Sequence, residues 1–203
     1  MIKNIIFDIG GVVIIKSKFD LISRYIVKKI FTNYNRIKEE TIKEDLKHIW
    51  TLWRVGKITE DKFFEVAKEK TKIKLPIFYL KKKFYSAHKE NKKIILLIKK
   101  LKQKYNTYAL TNHAKEWFEV QSEELRFNDL FDGVVTSFEE RIPKPDIKIY
   151  QNLLQKYNLN PKECIFIDDQ KENLTPAKKL GMKTIHYKDF SQLTREMRKH
   201  GVI

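Results

Sequence analysis

The sequence predicts an α/β fold, in which a doubly wound, mostly parallel sheet carries an inserted α-helical cap. Apolar segments that end in polar residues predict strands at 2–7, 106–110, 133–136 and 164–167, with a weaker fifth at 183–186. Helical periodicity separates these segments at 91–104, 114–127, 146–157 and 171–180. Strands that alternate with helices of this length form parallel βαβ units, which gives the fold class.

The chain between the first two predicted strands breaks this alternation. Within residues 16–88 the apolar residues recur only at helical spacing, in the groups Phe19 to Ile30, Leu46 to Trp53 and Phe63 to Ala67. Thr59 precedes two acidic residues and predicts a helix start, because acids in a first turn suit the helix dipole. We therefore expect a core domain of residues 1–15 and 89–203, with residues 16–88 forming the cap.

Composition and charge limit the classes of partner that this protein is expected to bind. The net charge is +16, but arginine supplies only seven of the 42 basic residues, and the lysines are spread along the whole chain. This pattern is typical of solvated helix faces, so we expect no specific nucleic-acid partner. Cys164 is the only cysteine, which leaves no disulfide framework or cysteine-rich metal site. No segment reaches the roughly 18 apolar residues of a membrane span and no cleavable leader is visible, so a cytoplasmic protein is expected; the oligomeric state is not predicted.

Polar side chains follow the predicted strands at the edge where parallel α/β sheets bind ligands. Asp8 follows the first strand, Thr111-Asn112 the second and Asp168-Asp169 the fourth. Lys144 lies in the intervening turn 142–145. Adjacent acids repel one another unless a cation compensates them, and Mg²⁺ prefers carboxylate oxygens. The sequence thus predicts a cation-binding edge, although each acid taken singly is also compatible with a helix cap or a turn.

Four segments carry a family resemblance. In order, FDIGGV, ALTN, PKPDIKIY and FIDDQKENLTPAKKLGM resemble the four signature motifs of the haloacid dehalogenase superfamily. The closest likeness is to the capped branch that holds sugar-1-phosphate phosphatases and the N-terminal phosphatase domain of soluble epoxide hydrolases. The segment WTLWRVGKITEDKFFEVA also resembles the cap of that branch.

The resemblance implies a role for each matching position. Asp8 would be the nucleophile that forms an aspartyl-phosphate, which splits one difficult hydrolysis into two easier steps. Thr111 and Asn112 would bind the phosphoryl oxygens. Lys144 would neutralise the nucleophile and the transferring group, because phosphoryl transfer depends mostly on positioning and electrostatics.

The metal site is implied in the same way. Asp8, Asp169 and the backbone carbonyl of Gly10 would hold Mg²⁺, since the register to Gly181-Met182 places Asp169 on the metal position. Asn173 stands where many relatives carry a further acid. Asp168 stands where many carry glycine, and we expect both residues to support the site.

Gly10 departs from the family pattern. Most phosphatases of the family have an aspartate there, which protonates the leaving alcohol and later activates water. Loss of a general acid and base costs on the order of 10²–10⁴-fold in rate, and least for good leaving groups such as acyl or anomeric sugar phosphates. His113, beside Asn112, could in principle replace this acid as a proton carrier, but a solvent-facing histidine at a helix start is the interpretation that we favour.

The residues and the resemblance together predict a Mg²⁺-dependent phosphatase of a small phosphorylated metabolite. Gly10 and Asn173 leave open a second class, a phosphate- and Mg²⁺-binding or regulatory protein with impaired turnover. A third alternative is a metal-independent haloacid dehalogenase that uses Asp8 against a carbon–halogen bond. The retained acid pair, Asp168-Asp169, argues against that third alternative.

Overall fold

The computed structural model describes residues 1–15, 39–71, 73–85 and 89–203. Its strands are β1 (Asn4–Phe7), β2 (Ile14–Ile15), β3 (Lys89–Glu90), β4 (Asn106–Thr111), β5 (Gly133–Thr136), β6 (Cys164–Asp168) and β7 (Lys183–His186). Its helices are α1 (Glu39–Arg54), α2 (Glu60–Thr71), α3 (Ile77–Tyr85), α4 (Lys92–Leu101), α5 (Lys115–Leu125), α6 (Phe127–Leu130), α7 (Ser137–Glu140), α8 (Ile147–Lys156), α9 (Lys171–Lys179) and α10 (Phe190–Lys199). The predicted helical period from Phe19 to Ile30 lies outside the described residues.

Within these residues, five strands form a sheet in the order β5-β4-β1-β6-β7. All four neighbouring pairs are parallel. Strand β1 is central, and its last residue, Phe7, lies opposite Ala109 on one side and Ile167 on the other. The ends of β1, β4 and β6 therefore lie side by side at one edge, and the predicted α/β fold is confirmed.

Alternating side chains of the sheet enter two apolar layers. Ile5 and Phe7 belong to a cluster that includes residues of α4 and α10, whereas Ile6 belongs to a second cluster with residues of α8 and α9. Both layers are buried, which explains why the strands are almost continuously apolar rather than alternating. This packing on both faces fixes the strand ends that carry the polar residues.

Helices α1, α2 and α3, here called the helical insert, pack around aromatic rings. Trp53, Phe63, Phe64 and Phe84 form its buried cluster, and Ala114 and Trp117 of the sheet domain complete it. Lys62 N–H donates to Thr59 Oγ1 over 3.2 Å, which caps α2 at the position that the sequence predicts. The periodic aromatic residues thus form the contact between the insert and the rest of the chain.

Some elements differ from the predictions. Strands β4 and β6 each extend one residue further, so that Thr111 and Asp168 pair within the sheet instead of following it. The antiparallel pair of β2 and β3 was not predicted, because two-residue strands carry no periodic pattern. Helix α10 was not predicted either. In the described part of the chain, no helix combines the length and apolar character needed to cross a membrane.

Candidate active site

Three carboxylates meet at the edge formed by β1 and β6. Asp8 directly follows β1, Asp168 ends β6 and Asp169 comes next, and one oxygen from each lies within 4.8 Å of the others. Asp8 and Asp168 are buried, whereas Asp169 is partly exposed. The parallel register thus gathers the acids that the sequence placed at the strand ends.

The Lys144 ammonium compensates the negative charge of two of these carboxylates. Its Nζ lies 3.0 Å from Asp8 Oδ1 and 2.8 Å from Asp168 Oδ2, and it also donates to the Leu110 carbonyl over 2.9 Å. An ammonium has three donors, so these three acceptors occupy all of them. Burial alone would lower the pKa of Lys144, but the attraction of Asp8 and Asp168 outweighs it and raises that pKa above its ordinary value. Lys144 is therefore charged in the site.

The backbone of Lys144 is held by Asn112. The Asn112 side chain accepts from Lys144 N–H over 2.7 Å and donates to the Lys144 carbonyl over 2.9 Å. Both ends of this amide are thus engaged with one peptide segment. Asn112, which the sequence assigned to phosphate binding, lies where it positions the lysine.

Asp168 is surrounded by donors. Asn173 Nδ2 lies 3.1 Å and 3.0 Å from its two oxygens, and Gln170 N–H donates to Oδ1 over 2.7 Å. Together with Lys144 these contacts satisfy a carboxylate that is fully buried. Asn173 thus acts as a donor that fixes the Asp168 carboxylate.

The environment of Asp8 shifts the pKa of its carboxyl group. Burial raises its pKa from 3.8 to about 7; Lys144 opposes this rise, and the neighbouring Asp168 and Asp169 add to it. Its Oδ1 also accepts from Ile9 N–H over 2.7 Å. A buried, oriented carboxylate beside an ammonium has the position expected of a nucleophile.

The two glycines after Asp8 differ in what their backbone demands. Gly11 has a φ of +87°, and a Cβ there would lie 2.6 Å from Asp169 Oδ2. The positive φ therefore favours glycine at position 11, and any other residue would also displace the Asp169 carboxylate. At Gly10 a Cβ would meet nothing within 4 Å, and its φ lies outside the left-handed region. The site has room for a side chain at Gly10 that the sequence does not supply.

Thr111 and His113 flank Asn112 but face different surroundings. Thr111 ends β4, is buried and pairs in register with Thr136. The ring of His113 is buried, with Nε2 2.9 Å from Gln121 Oε1 and Nδ1 3.2 Å from the Ala114 carbonyl. It packs against Trp117, with 4.3 Å between ring centroids. These contacts are those of a packed histidine at the start of α5.

Arg54 is a further charged residue at the site that the sequence analysis did not assign. It ends α1, and its Cζ lies 5.2 Å from the centroid of the Trp50 ring. Burial lowers the pKa of Arg54 to about 10, and the attraction of Asp8 opposes this change. One signal for Arg54 was present in the sequence, because arginine is uncommon among so many lysines. Arg54 lies far from the acidic residues along the chain, however, so the sequence did not indicate that it is near them in the fold.

Solved structures with this architecture include an HAD family enzyme, bt-2542, from Bacteroides thetaiotaomicron. It matches with a TM-score of 0.80 and 25% identity over 96% of this chain and 98% of the other. The same enzyme in complex with magnesium and inorganic phosphate matches with a TM-score of 0.78 and 25% identity, over 95% and 99% of the two chains. An L-2-haloacid dehalogenase from Xanthobacter autotrophicus, 18% identical with a TM-score of 0.60 over 100% and 85% of the two chains, shares the fold.

Curated relatives match shorter stretches. The sesquiterpene phosphatase astK of Aspergillus oryzae is 35% identical over 92 residues, which are 45% of this chain and 46% of the relative. The glyceraldehyde 3-phosphate phosphatase of Pyrococcus furiosus is 34% identical over 87 residues, 41% of this chain and 35% of the relative. The chain thus spans less than half the length of these relatives. The family model for haloacid dehalogenase-like hydrolases matches residues 2–181, and the chain belongs to this family.

Proposed function

We propose that this protein is a Mg²⁺-dependent phosphatase of small phosphorylated metabolites. The observation that carries the proposal is the buried Asp8, which lies 3.0 Å from the Lys144 ammonium beside two further carboxylates. Support comes from the family and from relatives that are phosphatases by name. The proposal assigns the nucleophile to Asp8 and the supporting network to Lys144 and Asp168.

The residues of the acidic edge fit Mg²⁺. The donor set consists of carboxylate oxygens, which this hard cation prefers. Asp8, Asp169 and the Gly10 carbonyl would hold the ion, because the oxygens of Asp168 already accept from Lys144, Asn173 and Gln170. When bound, the ion supplies positive charge that offsets the negative charge of the phosphoryl oxygens.

Each residue of the site then has its own role in the reaction. An Asp8 oxygen attacks phosphorus, forming an Asp8–phosphorus bond while the bond between phosphorus and the leaving alcohol oxygen breaks. Water then attacks the aspartyl-phosphate, which releases inorganic phosphate and restores the Asp8 carboxylate. Lys144 stabilises the charged form of Asp8, Asn112 holds the Lys144 backbone, and Thr111 would donate its hydroxyl to a phosphoryl oxygen.

The lack of a carboxyl group at Gly10 determines which substrates can react quickly in this scheme. Position 10 has no carboxyl group to protonate the departing oxygen, so that oxygen takes its proton from water. The rate then depends strongly on how stable the departing oxygen is as an anion. Acyl phosphates and anomeric sugar phosphates are therefore the substrate classes that this site favours.

A second candidate function rests on the same glycine. Without the acid at position 10, the site would bind phosphate and Mg²⁺ while turning substrate over too slowly to matter. The protein would then act as a binding or regulatory member of its family. The two candidates share every contact of the acidic edge and differ only in the rate at which phosphate is released.

The decisive experiment measures phosphate release with Mg²⁺ from a panel of acyl, anomeric sugar and simple alkyl phosphates. We expect turnover that is greatest for the first two classes and is abolished by Asp8→Asn. The matched control is Asp129→Asn, which removes a carboxylate that forms a surface ion pair with Arg126. This control should retain full turnover.

Gly10→Asp separates the two candidates, because a Cβ at position 10 meets no neighbour within 4 Å. The phosphatase proposal expects a gain of about 10²-fold or more on alkyl phosphates, whose leaving groups need a proton most. No release by either protein, with phosphate and Mg²⁺ still binding, would support the binding role. Full activity in excess chelator would contradict the metal assignment and favour the dehalogenase class.

A further inference from the structure

The turn after α1 is fixed to the sheet domain at the edge that carries the acids. The Arg54 carbonyl accepts from Ser137 Oγ over 2.7 Å, and the same hydroxyl accepts from His113 N–H over 2.9 Å. On either side, Trp53 Nε1 donates to Glu116 over 3.0 Å and Arg141 donates to the Gly56 carbonyl. These contacts hold Arg54 at the boundary between the helical insert and the end of β4.

The two cations near Asp8 differ in their hydrogen bonds. All three donors of Lys144 already have acceptors within the protein, namely Asp8, Asp168 and Leu110. The Nε of Arg54 is buried and has no hydrogen-bond partner among the described residues. Lys144 thus offers charge to a bound phosphoryl group but no spare donor, whereas Arg54 has at least one.

Arg54 as a whole is partly exposed, but its Nε–H is buried without an acceptor among the described residues. Such a donor is costly, because arginine keeps its charge in proteins and the desolvation of a charged donor needs compensation. The face of Trp50 supplies part of this compensation but accepts no strong hydrogen bond. A planar guanidinium matches two oxygens of a phosphoryl group, which makes such an anion its natural partner. The contacts of the Arg54 carbonyl with Ser137, and of Ser137 with His113 N–H, place Arg54 beside the end of β4, where the reacting phosphoryl group would bind. The attraction between Asp8 and Arg54 agrees with this position.

We propose that Arg54 is a substrate-binding residue supplied by the helical insert, whose guanidinium donates to the oxygens of the phosphoryl group placed at Asp8. The inference rests on the proposed function for the identity of that group. It gives the insert a direct part in binding the reacting end of the substrate. It also gives the site a second positive charge besides that of Lys144, which would offset the charge of the phosphoryl dianion.

The test measures the binding of inorganic phosphate with saturating Mg²⁺ by calorimetry, together with kcat and KM for an acyl phosphate. A charged hydrogen bond of this kind contributes about 1.5–3 kcal/mol, so Arg54→Gln should weaken phosphate binding about 10- to 100-fold. Arg54→Lys should recover only part of the loss, because it lacks the planar fork. Added guanidinium ion should partly restore Arg54→Ala, which a purely structural role would not allow.

Arg126→Ala is the matched control, since its guanidinium pairs with Asp129 on an exposed surface. It should bind phosphate as the wild type does and show no response to guanidinium. Circular dichroism and thermal melting verify that each variant is folded. Unchanged phosphate binding by folded Arg54→Gln would overturn the inference, and so would a loss confined to substrates that carry a second anionic group.

The outcomes also separate this inference from the proposed function. Mg²⁺-dependent turnover by the wild type with unaltered phosphate binding by Arg54→Gln would leave the phosphatase proposal standing and remove Arg54 from it. Phosphate binding that depends on Arg54 in a protein without turnover would keep Arg54 and remove catalysis. A wild type that neither binds nor releases phosphate would overturn both.

Discussion

The carboxyl edge of the sheet and the helical insert contribute opposite kinds of surface to the candidate site. At the edge, Asp8, Lys144 and Asp168 are buried charges that compensate one another. In the insert, aromatic rings surround Trp53, with the Arg54 guanidinium beside them. The charges at the edge thus already have partners within the protein, while the insert carries a cation whose Nε–H has no acceptor among the described residues. This division places the reaction on the sheet and a share of recognition on the insert.

The largest effect expected at the edge comes from Lys144→Met. Removing the ammonium leaves Asp8 and Asp168 buried without their cation, which should lower the free energy of unfolding by about 3–5 kcal/mol. Denaturant unfolding measures this loss. Lys148→Met on the exposed face of α8 is the control and should stay within about 0.5 kcal/mol of the wild type. A loss below about 1 kcal/mol at Lys144 would show that the edge does not depend on charge compensation.

The stability of the carboxyl edge should depend on pH, whereas that of the helical insert should not. The folded pKa of Asp8, about 7, exceeds its ordinary value of 3.8, so the folded protein binds this proton more tightly than the unfolded chain. The free energy of unfolding of the metal-free protein should therefore fall as pH rises from about 4 to about 7, by at most about 4 kcal/mol from this group. Asp8→Asn should remove that decline.

Thermal melts in chelator at pH 5 and pH 8 measure this difference. Phe84→Leu provides the reference from the insert, because a change in the aromatic cluster involves no titrating group. It should lower the melting temperature by a similar amount at both values of pH. Equal slopes for the wild type and Asp8→Asn would mean that burial does not raise the pKa of Asp8 as described.

The smallest expected effect is a difference in stability between substitutions at the adjacent Gly10 and Gly11. Gly11→Ala places a methyl group against Asp169 on a backbone with positive φ, which should cost about 1–3 kcal/mol of stability and weaken Mg²⁺ binding. Gly10→Ala meets open space and should change stability by less than about 1 kcal/mol. Chemical denaturation and Mg²⁺ titration of the two variants measure the contrast. Similar costs at both positions would contradict the described approach of Asp169 to Gly11.

The sequence predicted the sheet well because its strands are buried on both faces and its helices are amphipathic. The short strands β2 and β3 carry no such signal. Helix α10 repeats Leu193 and Met197 at helical spacing, but its many charged and polar residues obscure the pattern. Elements were predictable where burial requires either a continuous apolar run, as in the strands, or a helical period.

The site was predictable to a similar degree. Strand ends identified Asp8, Thr111 and the acid pair, since parallel topology places them at one edge. The hydrogen bonds of Asn112 to the Lys144 backbone join segments about thirty residues apart, and no local pattern encodes them. Arg54 depends on how the insert sits on the sheet domain, which only the three-dimensional contacts show.

The unobstructed space at Gly10 has an evolutionary consequence. Glycine codons of the form GGY and aspartate codons of the form GAY differ by one nucleotide, so a GGY codon at position 10 would lie a single point mutation from the missing acid. A Cβ at this position meets no neighbour within 4 Å, so its addition meets no packing barrier. Gly11, one residue on, has no comparable freedom. A substitution at position 10 can therefore alter the chemistry of the site at little cost in packing, whereas one at Gly11 cannot.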